Sequence, residues 1–455
     1  MRRLLPGLLL LCLLEWNPTE SAAAPPVQVL TRVFFHDAAT ETIKWADLLA
    51  GEKPTMGPVR TLAGFPQLDP QRQSIVSLQA AGGMLLAGIR DTTGGTAPRG
   101  WVLVECGVYE EAHGDHAHWI YPTAPRIRAA AVDPASGNPR RIHVYDATFY
   151  LTYDDRGEFL RIDPASIGPR DDAAAIRRLA ARHVGGGRQG ALAAVGKVVA
   201  FTAWEDVAGP HQGQIDVTAL RPTGNDAVTF SFQLPQGELS ALTAHYGKVF
   251  IVTPEALAWV TVPSRISSSL SSLPARQIPW DGPAEFRDEP RGFATYGRYL
   301  AYVGSSQGKV TLNYLDAAAE QPRILRLPVS PDADRFAGDY ELFRNRKGQP
   351  LALVTHEDAT TESAPGRLSV VELDPDRNGD WTDARVVQEI SLGPAAAGQH
   401  RGIAVEADNR RALFTNPGDG TLMVLSVEDR KVVTGFQVGG TPTRVLAVGG
   451  RVSNH

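Results

Sequence analysis

Short apolar runs broken by turn residues recur along the whole chain. The first, TRVFFHDAATETIKWADL from Thr31, is two β-rich stretches joined by a polar turn. The same unit returns as GMLLAGIRD with GWVLVEC, TFYLTYDDRGEFLRID, and KVVAFTAWED with GQIDVTAL. It returns again as KVFIVTPEALAWVTV, RYLAYVGSSQGKVTLNYL, LALVTHED with GRLSVVEL, and RALFTNPGDGTLMVLSVED. Alternating apolar positions with Gly, Asn or Asp at the turn are hairpin signals, so the pattern predicts eight hairpins about fifty residues apart. A unit of that length holds about four strands, which is the size of a propeller blade. The fold class is therefore all-β: a single β-propeller of seven or eight four-stranded blades, with eight favoured. The strand-rich ends VQVLTRVFF and TRVLAV predict that the two termini complete one blade between them. One stretch reads as helix, Arg170 to His183, with Pro169 and two aspartates at its start and Gly185 to Gly187 as its stop.

Length alone, 455 residues, would suggest two or three domains, and the repeat replaces them with one ring. The balance of 45 basic against 50 acidic residues, with no basic block, argues against nucleic acid or an anionic membrane as partner. Arg2 and Arg3, the apolar run Leu4 to Leu14 and the small residues Ser21 to Ala24 have the make-up of a secretory signal. That apolar run is about 11 residues, too short to span a bilayer. The expected organisation is a signal peptide at 1–23, a propeller at 24–455, and a periplasmic or secreted monomer with no membrane span. Of the two cysteines only Cys106 falls in the propeller, so packing rather than a disulfide must hold it.

Histidine placement carries the candidate chemistry. Glu110 to His118 reads EEAHGDHAH, with His113, Asp115, His116 and His118 inside six residues of a polar segment between strands. Imidazole and carboxylate suit Zn²⁺, which takes four such ligands, and His143 and His400 are the natural further donors. A solvated His-rich loop is the plainer alternative. Residues opening the innermost strands include His143, Arg188, Arg291, His400 and Arg444, which would place basic groups around a channel rim. Zinc held by neutral imidazole should weaken as pH falls below about 6.5.

The last repeat, with NPGDGT at its turn and VGGTP before the next strand, resembles the YVTN-type propeller repeat. Together with the HGDHAHWIY segment after ECGVYEE and the histidine of RRIHVYDATFYLTYDDRGEF, it resembles the AztD-type periplasmic zinc metallochaperones. The resemblance spans most of the chain. It implies zinc bound near the channel by positions matching His113, Asp115, His116, His118 and His143. It also implies transfer to the zinc-binding protein of an ABC transporter. Where that family carries further inner-strand histidines, this chain has Arg188 and Leu239 or Ser240.

A second metal candidate is DPDRNGDWTDA, where Asp374, Asp376, Asn378 and Asp380 have EF-hand-like spacing, Gly379 permits the turn, and Asp383 stands in for the missing bidentate Glu. This predicts a structural Ca²⁺. Other matches lack their context. Gly304-x-Ser306-x-Gly308 sits in a predicted hairpin rather than at a strand-to-helix elbow. Gly185-x-Gly187-x-x-Gly190 opens a strand rather than a helix. Cys106, His36, His245 and His356 read as structural. The favoured reading is a non-enzymatic zinc carrier. The rivals are a propeller hydrolase or lactonase with a channel metal and Glu110 or Glu111 as base, and a non-catalytic ligand-binding scaffold.

Overall fold

Every strand pairing among the described residues is antiparallel, and the eight recurrent hairpins each form the middle pair of a sheet. The computed structural model describes residues 28–450 apart from 114–115, 146, 154, 156–157, 168–175, 181–187, 196–198, 206–214, 221–226, 230–240, 253–255, 262–275, 280–293, 307–308, 331–334, 359–364, 397–398 and 400. Seven sheets are four-stranded blades, each made from one continuous stretch of chain. A further sheet joins the chain ends: Pro442–Val448 lies innermost and pairs with Val29–Asp37, which pairs in turn with Thr42–Leu49. Both termini thus complete one unit. The favoured count of eight four-stranded blades is corrected, because seven blades have four strands and the closing sheet has five. Its outer position is split into Thr55–Met56 and Arg60–Thr61, both paired with Thr42–Leu49. Pro58 lies in the gap and explains the split, since proline cannot donate to a ladder.

The helix expected over 170–183 does not form at its centre. Ile176–Ala180 is an outermost strand, with Ile176 opposite Ile162 and Ala180 opposite Glu158. Glu158–Ile162 would otherwise be left with an unpaired edge. A short isolated helix is marginal in water, so tertiary pairing overrides the local signals.

Packing between sheets explains why the middle strands are apolar on both faces. Phe34 faces one neighbour, in a cluster with Trp45, Ile75, Val102 and Cys106. Val33 and Phe35, on the opposite face, join Leu413 and Val424 of the preceding blade and Val445 of their own sheet. All three phenylalanine and valine side chains are fully buried, and the same wedge recurs between other neighbours. Cys106 is one such wedge residue, and burial pushes its thiol far up, which keeps it protonated and inert.

Inner strands are tied across blades by one repeated device. Ile75 N donates to Glu41 Oε2 at 2.7 Å, Ile142 N to Ser77 Oγ at 3.1 Å, and Ile403 N to Asp339 Oδ2 at 3.1 Å. The Glu41 tie extends further. His36 Nε2 donates to Glu41 Oε2 at 2.9 Å, so Nδ1 is left to accept from the Thr443 hydroxyl at 2.9 Å. Burial holds the His36 pKa below its ordinary value despite the Glu41 carboxylate beside it. Burial, with Arg141 and Arg140, does the same more strongly to His143. A histidine kept neutral in the folded state gives stability that is present above pH 6.5 and lost as pH falls toward the folded-state pKa. The denaturation midpoint should therefore fall below pH 6.5, and His36→Gln should flatten that fall. A pH profile identical in the variant and the parent would rule out the assignment.

Because the strands meander, every inner strand runs from one face of the ring, the entry face, to the other, the exit face. Turns between first and second strands, and between third and fourth, all emerge on the exit face.

Candidate functional site

The histidine-rich segment forms a hairpin of its own, Tyr109–His113 paired with His116–Ile120. His113 lies opposite His116, and Glu111 opposite His118. Since faces alternate along a strand and directly opposed residues share a face, positions 111, 113, 116 and 118 fall on one side of the hairpin. His118 is half-buried, while Glu110 and Glu111 are exposed. Asp115 lies outside the described residues. The hairpin is the excursion between the third and fourth strands of the 73–133 blade, so it stands on the exit face.

Its base is held by Arg32. Nη1 donates to the carbonyls of Cys106, Gly107 and Thr123 at 2.9, 3.3 and 2.6 Å, gripping the chain on both sides of the hairpin. Nε and Nη2 donate to the two oxygens of Asp47 at 2.7 and 3.1 Å. The guanidinium lies 4.7 Å from the Trp45 ring centre and 5.6 Å from that of Tyr121. Gly107 has φ 69, and a Cβ there would collide with the Thr123 carbonyl. Tyr121 lies against Gly449, just past the inner strand Pro442–Val448, and its hydroxyl donates to the Leu30 carbonyl at 3.4 Å. The hairpin therefore rises beside the channel mouth. Arg32 does not stand out in the sequence, because the carbonyls it grips are 74 to 91 positions away.

His143 is on the innermost strand Pro139–Tyr145, opposite Tyr150 and two residues from the exit-face turn. It is half-buried and neutral, the form that ligates metals. Neighbouring Val144 is exposed. The other rim residues sit at different heights. The inner strands that carry these three residues each have a register shift: Arg188 precedes it, Arg444 lies within it, and His143 follows it. Arg444 Nη1 donates to the Ile75 carbonyl at 2.7 Å, so it bridges sheets rather than lining a rim. His400 and Arg291 lie outside the described residues. His36, His245 and His356 are engaged structurally, by Glu41 and Thr443, by the Gly297 carbonyl, and by Ser369. Gly304 and Ser306 belong to the antiparallel pair Tyr299–Ser306 and Lys309–Asp316, with no helix following.

Asp374 to Ala384 also stands on the exit face, between the third and fourth strands of the 335–394 blade. Carboxylate oxygens of Asp374, Asp376 and Asp383 lie within 4.8 Å of one another. Asp374 is buried and accepts from the Asn378 and Gly379 amides at 3.0 and 3.1 Å. Asn378 Nδ2 donates to Asp376 Oδ2 at 2.7 Å, and Asp380 accepts from the Thr382 amide at 2.9 Å. The fold thus gathers three of the five predicted calcium ligands and turns Asn378 and Asp380 to backbone and side-chain partners. Trp381 anchors the loop by stacking on Tyr299, with ring centres 4.1 Å apart.

One exit-face group is not evident from spacing at all. Glu406, just past the inner strand Ile403–Val405, is buried, and burial pushes its carboxyl up to about 7 even with Arg411 Nη1 at 3.1 Å.

The architecture matches AztD of Citrobacter koseri over 94% of this chain and 100% of that one, with a TM-score of 0.62 and 15% identity. Its fold is that of AztD. The apo form of the same protein superposes with a TM-score of 0.60 at 13% identity. The dihydro-heme d1 dehydrogenase NirN, in complex with DHE, matches over 93% of this chain and 76% of that one, with a TM-score of 0.55 and 11% identity. No protein-family model and no curated protein matches the sequence. The AztD resemblance read from the HGDHAHWIY and YVTN-like segments is therefore met in three dimensions, at an identity that speaks for fold alone.

Proposed function

We propose that this chain is an exported zinc-binding propeller that hands the metal to the zinc-binding protein of an ABC transporter. The observation that supports this reading is the hairpin register, in which position 113 pairs with 116 and Glu111 with His118. Histidines with one carboxylate form a donor set suited to Zn²⁺. His143, on the innermost strand of the next blade and near its exit end, is the further donor this reading calls on. A raised hairpin keeps the metal reachable, as transfer requires, whereas a closed structural site would bury it. The large apolar side chains that stand exposed among the described residues are Tyr109, Val144 and Tyr246, and all three lie on this face, where a partner would dock.

Metal content decides it. Protein purified without a histidine tag and dialysed against zinc is expected to hold about one equivalent. The triple variant with His113, His116 and His118 changed to alanine is expected to lose it. Equal zinc in parent and variant would sink the reading. Zinc that no apo solute-binding protein can withdraw would leave a zinc site without the transfer role.

The three gathered aspartates support a second, structural metal. Calcium at Asp374, Asp376 and Asp383 should raise the melting temperature of the metal-free protein, and Asp374→Asn should remove that increment. An unchanged melting temperature on adding calcium would count against it.

A further inference from the structure

A groove of about 540 Å³ runs between two neighbouring blades at the rim of the exit face. One wall is the outermost strand Arg276–Pro279, where Arg276 lies opposite Trp259. The other is the turn before Leu325–Pro328 together with that strand, which supply Arg323 and Arg326. All three arginines are exposed. Trp259, Ile278 and Ile324 make an apolar floor continuous with the wedge that holds the two blades together. Among the described residues no carboxylate lines the groove. The nearest acidic side chain on that turn's strand, Asp316, is engaged by Arg298, and Glu320 meets Arg276 through its carbonyl, at 3.4 Å from Nη1. Arg276 and Arg323 thus face one groove, with Arg326 beside them, in a chain whose net charge is −5.

We propose that this groove binds an acidic, extended segment of a partner protein, independently of any metal. Guanidinium groups take carboxylates through paired N–H donors, and their stems lie well on apolar surface. The groove is open to solvent, which suits a peptide more than a small enclosed metabolite. Gln277 and Gln321 add donors and acceptors for its backbone. The apolar floor asks for one apolar side chain among the acidic ones.

A fluorescein-labelled peptide of glutamates around a central leucine, titrated with full-length protein and read by anisotropy, tests this. Binding is expected to weaken as salt rises through the range where surface charges are screened. Arg276→Glu combined with Arg323→Glu should weaken it about tenfold or more, as expected for reversed rim charges. Arg323→Gln alone should give a smaller loss and serves if the double variant fails to fold. Lys347→Glu with Lys431→Glu, elsewhere on the same face, should leave binding unchanged. No binding, or an equal loss in the Lys347/Lys431 variant, overturns the assignment. Displacement of the peptide by inorganic phosphate at equal concentration overturns it too, by marking a small-anion site.

Discussion

Arg401→Leu is expected to destabilise the ring by about 3–5 kcal/mol, the size seen when a buried ion pair loses one partner. Arg401 and Glu357 are buried at 0% and 1% side-chain exposure, with Nε–Oε1 at 2.5 Å and Nη2–Oε2 at 3.2 Å. The guanidinium also donates to Asn416 Oδ1 and, at 2.5 Å, to the Gly393 carbonyl. It fastens the last four-stranded blade to the one before it. Gly366 makes room, because a Cβ there would collide with Glu357 Oε2. Replacing Arg401 alone strands a buried carboxylate. Replacing both, as Arg401→Leu with Glu357→Leu, should recover much of the loss, since no unpaired charge remains. Chemical denaturation of the parent, the single and the double variant checks this. A double variant as unstable as the single would mean that the other hydrogen bonds of Arg401, not its charge, matter most.

Arg32→Ala should have the second large effect, and a more informative one. It removes donors from three backbone carbonyls and from Asp47 and the cation from between two aromatic rings, at a cost of about 3 kcal/mol. The loss is local to the feet of the histidine hairpin. Amide exchange in residues 106–125 should accelerate well beyond that in distant blades. On the proposed zinc reading, affinity should fall about 10–100-fold with every ligand still present, as happens when groups that orient ligands are lost. If affinity falls while exchange in 106–125 stays slow, Arg32 is not acting through the hairpin. Arg32→Lys should not rescue it, because an ammonium cannot grip both feet and Asp47 at once.

Much of the fold is written locally. The apolar runs from Thr31, Gly83 and Thr148 each occur as the middle strands of a sheet, because hairpin formation depends on neighbours a few residues apart. The termini met in one sheet as their strand patterns predicted. Ile176–Ala180 was misread because its fate hangs on the unpaired edge of Glu158–Ile162, not on its own helix signals. The favoured count of eight four-stranded blades failed at the closing sheet, whose outer position is divided at Pro58. At the site, the clustering of His113, His116 and His118 was plain in the sequence, but the facing of Glu111 with His118 needed the hairpin register. Of the expected rim, Arg188, Arg444 and His143 stand differently relative to the register shifts of their strands, which spacing alone does not reveal, and Arg291 and His400 lie outside the described residues.

By itself, then, the sequence determined the repeat, the closure of the ring and the residues able to ligate a metal, since all three follow from short-range pattern and side-chain chemistry. Tertiary structure decided which of those residues share a face, which carboxylates gather, and which arginines act. Arg32 reaches 91 residues to Thr123, and Arg401 reaches 44 back to Glu357. Contacts that distant leave no spacing to read, because their cost and their reward arise only once the chain has closed.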